Sequence, residues 1–294
     1  MDSRIVDRIA TFILYAIAFI IVCILFGLLA FILYHGFSRI DLQFITSPPE
    51  TMKAGGGIGP QLFNSLYLLV LTMIITVPLG LGAGIYLAEY APKNKITDVI
   101  RLSIEVLSSL PSIVVGLFGL MVFVNVLGWG YSILSGAFAL TVFNLPLLVR
   151  VVEESLRSVP KEQKEASLAM GISHWTTIRK VLLPVALPGI LTGAILAAGR
   201  IFGEAAALLF TAGMSSPDLN FSDWNIFHPA SPLNPFRPAE TLSVHIWKVN
   251  SEGLIPDVRA VADGASAILV ITVLFFNLFA RWFGRWIYKR LTAS

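Results

Sequence analysis

Arg200 and Glu204 are the two charged residues in an apolar stretch that runs from Pro184 to Ala212. Four residues apart, they share one face if the stretch is a single helix. At the centre of a bilayer each charge costs about 2.5–3.5 kcal/mol even on a lenient insertion scale, so each needs a partner or water. Two chemistries fit. The pair can satisfy itself as a salt bridge that locks helix packing. Alternatively, Arg200 attracts an anion along a pathway while Glu204 holds the guanidinium in place, because the planar fork of an arginine matches phosphate-type oxygens.

Little else in the chain has the spacing of reactive groups. No G-x-x-x-x-G-K-[ST] loop occurs, and "GGGIGP" at Gly55–Pro60 lacks the lysine and reads as a structural turn. There is no HExxH, no Cys/His cluster and no nucleophile elbow; His35, His174, His228 and His245 are scattered. Cys23 stands alone in an apolar run, where it reads as a packing residue with no disulfide partner. Asn64, Ser65, Asn125 and Asn144 suit hydrogen bonding between helices, and Glu105 suits a structural pair with Arg101. The residues describe a conduit with no catalytic group, no metal site and no cofactor of its own.

The elements that position them belong to a membrane protein. The 294 residues are 56% hydrophobic and only 13% charged, with a mean hydropathy of +0.79, against about 25% charged in soluble domains. Six segments approach the roughly 20 residues of helix that cross a hydrocarbon core: Ile9–Tyr34, Leu62–Tyr86, Ile104–Leu127, Tyr131–Val149, Pro184–Ala212 and Ala265–Ile287. The first is too long for a signal-peptide core and shows no small-residue cleavage site, so it reads as a retained span. "GWG" at Gly128–Gly130 joins the third and fourth as a tight hairpin, with Pro111 and Pro146 inside spans.

With the N-terminus cytoplasmic, fifteen Lys and Arg fall inside and five outside, so both termini are expected in the cytoplasm. Trp282, Trp286 and Tyr288 suit an interfacial anchor, with membrane lipid as the surroundings and no sign of a nucleic-acid partner. Residues 1–61 form the first span and an outside loop. Residues 62–290 form the main transmembrane unit, with a central loop at 157–183 and an outside loop at 213–264 that carries a helix candidate at Ala239–Val249.

The central loop looks soluble. Pro160 suits a helix start, Gly171 a helix stop, and Ser173 can cap a second helix whose Trp175, Ile178 and Val181 form one apolar stripe, ended or kinked at Pro184. Such a pair can simply lie in the membrane surface. Its spacing, however, resembles the EAA loop of binding-protein-dependent ABC importer permeases: Glu165-Ala166-Ser167, three residues, Gly171, nine residues, then Val181-Leu182-Leu183-Pro184. Ser167 replaces Ala and Val181 replaces Ile in the family pattern. The resemblance implies an all-α fold of six transmembrane helices, the type I importer (MetI-like) permease fold, with this loop as a cytoplasmic coupling helix. It implies that Glu165, Ala166, Ser167, Gly171, Leu183 and Pro184 serve coupling to a separate ATPase, which would hold the ATP and Mg.

"GGIGPQLFNSLYLLVLTMIITVPLGLGAGIYLAEYAP" and "GRIFGEAAALLFTAG" resemble, more narrowly, the second permease subunit of phosphate importers. That likeness spans about residues 44–290. It implies a homologous permease partner, two cytoplasmic ATPase subunits and an extracytoplasmic phosphate-binding protein, and it favours the pathway reading of Arg200 and Glu204. Ala205 and Ala207 stand where the family has Thr and Pro, which predicts a less polar, less kinked fifth span. A permease for another oxyanion or polar solute is the nearest rival. An ion-driven secondary transporter is further off, because no inverted repeat or broken-helix ion site is evident.

Overall fold

The computed structural model describes residues 3–50, 53–253 and 256–292, with the side chains of Ser3, Val6 and residues 287–292 outside that set. Tyr288, Lys289 and Arg290, expected at an interface, therefore lie outside the described side chains. Among the described residues every regular element is helical: α1 (Ser3–Phe37), α2 (Leu42–Thr46), α3 (Gly59–Ile85), α4 (Lys95–Ser108), α5 (Ser112–Gly119), α6 (Ile133–Arg157), α7 (Lys161–Ala169), α8 (His174–Thr177), α9 (Leu183–Gly203), α10 (Ala206–Leu209), α11 (Leu242–Glu252) and α12 (Val258–Thr292). Wider π-helical turns extend α3 through Tyr86–Tyr90, extend α5 through Leu120–Val126, and join α8 to α9 through Ile178–Leu182.

Five continuous helices are long and apolar enough to cross a membrane: α1, α3 with its last turn, α6, the run from His174 to Gly203, and α12. The third expected span, Ile104–Leu127, is a bent pair of helices rather than one straight helix. α4 and the α5 segment meet at 101°, and Pro111 sits at the corner rather than inside a helix. A proline disfavours helical backbone in the residue before it, which accounts for α4 stopping at Ser108. α4 carries its own amphipathic pattern, with Ile96, Val99 and Val106 exposed. Gly128 and Gly130 both adopt left-handed backbone (φ +67° and +64°), so the expected hairpin turn is present.

α6 is the centre of the bundle, with α3 and α9 packed on it; α12 packs on α9, and α1 packs along α12. The window of α1 that could span is not buried inside the protein at all. Its Phe12, Phe19 and Phe26 are exposed, as side chains facing lipid must be when the helix satisfies its own backbone. One apolar cluster around Leu68, Leu140, Ile201 and Leu208 fills the middle. Another, around Ile85, Val152, Ile178 and Leu182, fills the end where the basic residues gather. A third, around Phe44, Ile58, Leu242 and Val261, fills the opposite end.

α3 approaches α6 this closely because two of its glycines face it. A Cβ added at Gly84 would meet Val152 at 2.5 Å, and one at Gly80 would meet Leu148 at 2.7 Å, whereas nothing lies within 4 Å of Gly82. Gly84→Leu is therefore expected to destabilise the detergent-solubilised protein by about 1–3 kcal/mol, the usual cost of overpacking. That should lower its thermal midpoint by several degrees, while Gly82→Ala leaves the midpoint unchanged or slightly raised. Equal midpoints for the two variants would contradict the α3–α6 contact.

Candidate functional site

The central loop folds as a helical hairpin at the basic end of the bundle. α7 ends near Ala169, and Gly171 turns the chain with left-handed backbone at φ +76°, a conformation that favours glycine. The Ser173 side chain then accepts from the Thr176 backbone N–H, capping α8 as its position predicts. Ser167, which stands where the family pattern has Ala, ties the two limbs together. It is buried, and its Oγ lies 2.9 Å from Thr177 Oγ1 as a hydroxyl pair.

Pro184 does not end the second helix. The π-helical turn at Ile178–Leu182 precedes it, and the helix runs on into α9. The expected apolar stripe is also only partial: Ile178 is fully buried, but Trp175 is 54% exposed. The sequence reads from Glu165 through Met170 on the outside of the hairpin, with Glu165, Ala166, Leu168, Ala169 and Met170 exposed and Leu183 and Pro184 half-buried.

Beneath the hairpin lies a charged knot that spacing arguments did not identify. Lys164 Nζ on α7 donates to Glu89 Oε2 at 2.6 Å, and His174 Nε2 on α8 meets the same oxygen at 2.9 Å. The Glu89 side chain is only 7% exposed. Two residues earlier, the Leu87 carbonyl accepts from Arg101 Nη2 at 3.2 Å and Arg157 Nη2 at 3.3 Å. The last carbonyls of a helix lack internal donors and carry partial negative charge, so guanidinium groups gather there. Both arginines also meet Glu153 Oε1 at 2.9 Å. Glu105, expected beside Arg101, makes no ion pair with it; Arg101 turns to Glu153 on α6 instead.

Arg200 and Glu204 do not share a helix face. α9 ends at Gly203, and Glu204 has extended backbone (φ −74°, ψ 129°). Its carboxylate accepts from the Ala207 N–H at 3.3 Å, and its carbonyl accepts from Ser243 Oγ at 2.6 Å. The expected straightening at Ala205 and Ala207 therefore does not occur, because capping and the hydroxyl of α11 hold the break without a proline. The self-satisfied pair is likewise missing among the described residues. The Arg200 guanidinium instead stacks 3.6 Å from the centre of the Phe143 ring. A ring face attracts a cation without using its N–H groups, so the donor fork stays available.

The opposite end of α3 is locked by neutral and charged polar groups. Asn64 Nδ2 donates to Ser216 Oγ and to the Glu240 carbonyl, while its Oδ1 accepts from Arg237 Nη2 at 2.7 Å. Ser65 Oγ accepts from the Leu242 N–H, and Gln61 Nε2 donates to Glu240 Oε2. Burial lowers the pKa of Arg237 to about 10, with the opposing charge of Tyr67 raising it less. For Glu240, burial pushes upward but hydrogen bonds from His245 and Gln61 and the charge on Lys248 prevail, so its pKa ends below the usual carboxylate value. A cavity of about 730 Å³ opens beside this lock, lined by Pro60, Gln61, Ser216, Glu240, His245 and Lys248 among others. Asn144 departs from its expected role: its amide bonds the Leu140 carbonyl of its own helix.

Position in the sequence singled out Gly171 and Ser173, which form the turn and the cap, and Arg200, which packs on the Phe143 ring. Glu89, Glu153, Arg237 and Glu240 escaped notice, and each has a partner far along the chain, 75, 52, 173 and 179 residues away, respectively. The available signal was charge alone: Glu89 follows an apolar helix directly, where a carboxylate needs a cation.

An all-helical membrane bundle with a basic-end hairpin, and a cation on its fifth long segment that meets a ring rather than a carboxylate, has the organisation of a transport component. The chain belongs to the family of binding-protein-dependent transport system inner membrane components, whose profile matches residues 80–293. It is an ABC importer permease of that family. It is 61% identical over its full length to the "Probable ABC transporter permease protein YqgI" of Bacillus subtilis, covering 100% of both chains. It is 34% identical to the phosphate transport system permease protein PstA of Yersinia pestis, covering 84% of this chain and 78% of that one. Among solved structures it resembles a chain of a bacterial alginate ABC transporter in complex with an alginate-bound periplasmic protein, at TM-score 0.63 and 16% identity over 96% of this chain and 97% of that one. A chain of the MetNI methionine ABC transporter matches at TM-score 0.59 and 22% identity, over 79% and 94% of the two chains. These likenesses establish the MetI-like fold.

Replacing Asn64 by Leu should take the donor from the buried Glu240 carbonyl and one acceptor from the buried Arg237 Nη2, which keeps only the Pro232 carbonyl. Each buried group so stranded costs about 1–3 kcal/mol. Limited proteolysis within residues 213–253 should accelerate by at least roughly tenfold, since about 1.4 kcal/mol is a factor of ten. Unchanged cleavage would show that the lock does not hold this loop.

Proposed function

We propose that the chain is the transmembrane permease subunit of an ATP-driven phosphate importer, forming half of the translocation pathway. It pairs with a homologous permease subunit, receives phosphate from an extracytoplasmic binding protein, and is driven by two cytoplasmic ATPase subunits that carry the ATP and Mg. Both termini and the α7–α8 hairpin face the cytoplasm, in keeping with the distribution of Lys and Arg. The hairpin is the surface on which the ATPase acts. Glu165, Ala166 and the Met170 end are exposed for contact, while Ser167 and Gly171 set the hairpin's shape. The observation that carries the substrate reading is Arg200, which is backed by the Phe143 ring and has no hydrogen-bond acceptor or ion pair among the described residues. Phosphate permeases among the relatives support it.

Reconstituted with its partner subunits in vesicles, the complex should take up labelled inorganic phosphate on addition of ATP. Arsenate should compete, and sulfate and molybdate should compete far less. Equal competition by sulfate or molybdate would assign the permease to another oxyanion. The variant Arg200→Leu with Glu204→Leu is expected to assemble and hydrolyse ATP but to move almost no phosphate, whereas uptake near wild type would remove Arg200 from the pathway. Gly171→Pro should insert normally yet lose ATP-driven uptake, because proline fixes φ near −65° where the hairpin needs +76°.

A further inference from the structure

The hairpin is covalently continuous with two helices only. α7 follows α6 through Ser158–Pro160, and α8 runs into α9. A push on the hairpin therefore reaches α6 and α9 through the backbone. α3 has no such connection, yet it spans from the basic end to the lock at the opposite end. The polar contact between α3's last turn and both limbs of the hairpin is the single carboxylate oxygen Glu89 Oε2, shared by Lys164 of α7 and His174 of α8. His174 also packs against Tyr90, with ring centroids 5.0 Å apart.

Three features make this node more than packing. The carboxylate is nearly closed to solvent, so its attraction for the ammonium is little screened. It joins both limbs, so it senses the hairpin as one body rather than one helix. And α3 beyond it is stiffly mounted: Gly84 and Gly80 are seated on α6, and the far end is held by Gln61, Asn64 and Ser65 to residues 216–242.

We propose that Glu89 is a positioning residue for coupling, relaying displacement of the α7–α8 hairpin to α3 and along it to the loop at residues 213–253. This rests on the reading of the hairpin as the ATPase contact. In that arrangement α6 and α9 are moved through the chain, and α3 is moved through its packing on α6 and, at its last turn, directly through this ionic node. Severing the node leaves the hairpin docked and the ATPase running, but the last turn of α3 no longer follows the hairpin directly.

The test uses the full complex in vesicles, with ATP hydrolysis and uptake of labelled inorganic phosphate measured on the same preparation. Glu89→Gln keeps the size and removes the charge. It should lower phosphate moved per ATP hydrolysed by about tenfold, at near-normal assembly and hydrolysis. Lys164→Gln should do the same in smaller degree, and the double variant should be no worse than Glu89→Gln alone, since both cut one contact. The swap Glu89→Lys with Lys164→Glu should recover part of the ratio. A merely structural role predicts uptake and hydrolysis falling together with an unchanged ratio, and that result overturns the proposal, as would additive losses. Gly171→Pro separates the two readings. If it abolishes coupling while Glu89→Gln does not alter the ratio, the hairpin reading stands and the relay through Glu89 falls. If Gly171→Pro couples normally, the hairpin reading itself fails.

Discussion

A charged group at the edge of an apolar slab must find its counter-charge inside the protein, and in this chain that requirement shapes both ends of α3. At the basic end Glu89 and the Leu87 carbonyl together collect Lys164, His174, Arg101 and Arg157. Glu153 of α6 then neutralises the two arginines. Four separate elements are thereby oriented around the terminus of one helix. Full burial of such pairs would cost more in lost hydration than it returns. Here the arginines keep 30% and 51% of their side-chain surface, so the knot orients the helices at modest cost in hydration.

The same logic explains the fifth segment. A cation and a carboxylate four residues apart would satisfy each other on an unbroken helix, and then neither would be available to a solute. The break after Gly203 prevents this. Glu204 is spent on capping α10 and on the contact with α11, and Arg200 is left against an aromatic face. Phe143 belongs to α6, the most enclosed helix of the bundle. The guanidinium is thus mounted on the centre of the molecule by an interaction that leaves its hydrogen-bonding edge unused.

Much of the fold was legible because hydrophobic runs report helices directly. Five of the six expected spans correspond to long helices, and the Gly128–Gly130 turn, the Gly171 turn and the Ser173 cap follow from local residue chemistry. The bent third span shows where that legibility stops. Ile104–Leu127 has the composition of a membrane crossing, but Pro111 and the amphipathic pattern of α4 produce a right-angled corner. Local signals also could not place long-range partners. Arg101 has Glu105 four residues away and still selects Glu153, because α6 brings that carboxylate to 2.9 Å. Glu89 lies just beyond the expected second span, and nothing in its local sequence points to the hairpin that folds over it.

The central claim is that the exposed rim of the α7–α8 hairpin is where an ATP-hydrolysing partner acts on this permease. The most direct measurement replaces Met170, 73% exposed at the hairpin's tip, with a photo-crosslinking amino acid in intact membranes and identifies the adduct by mass spectrometry after detergent extraction. A covalent adduct to an ATPase subunit, lost on Gly171→Pro, is the predicted result. Adducts to lipid alone, with no ATPase in the extracted complex, would contradict the account.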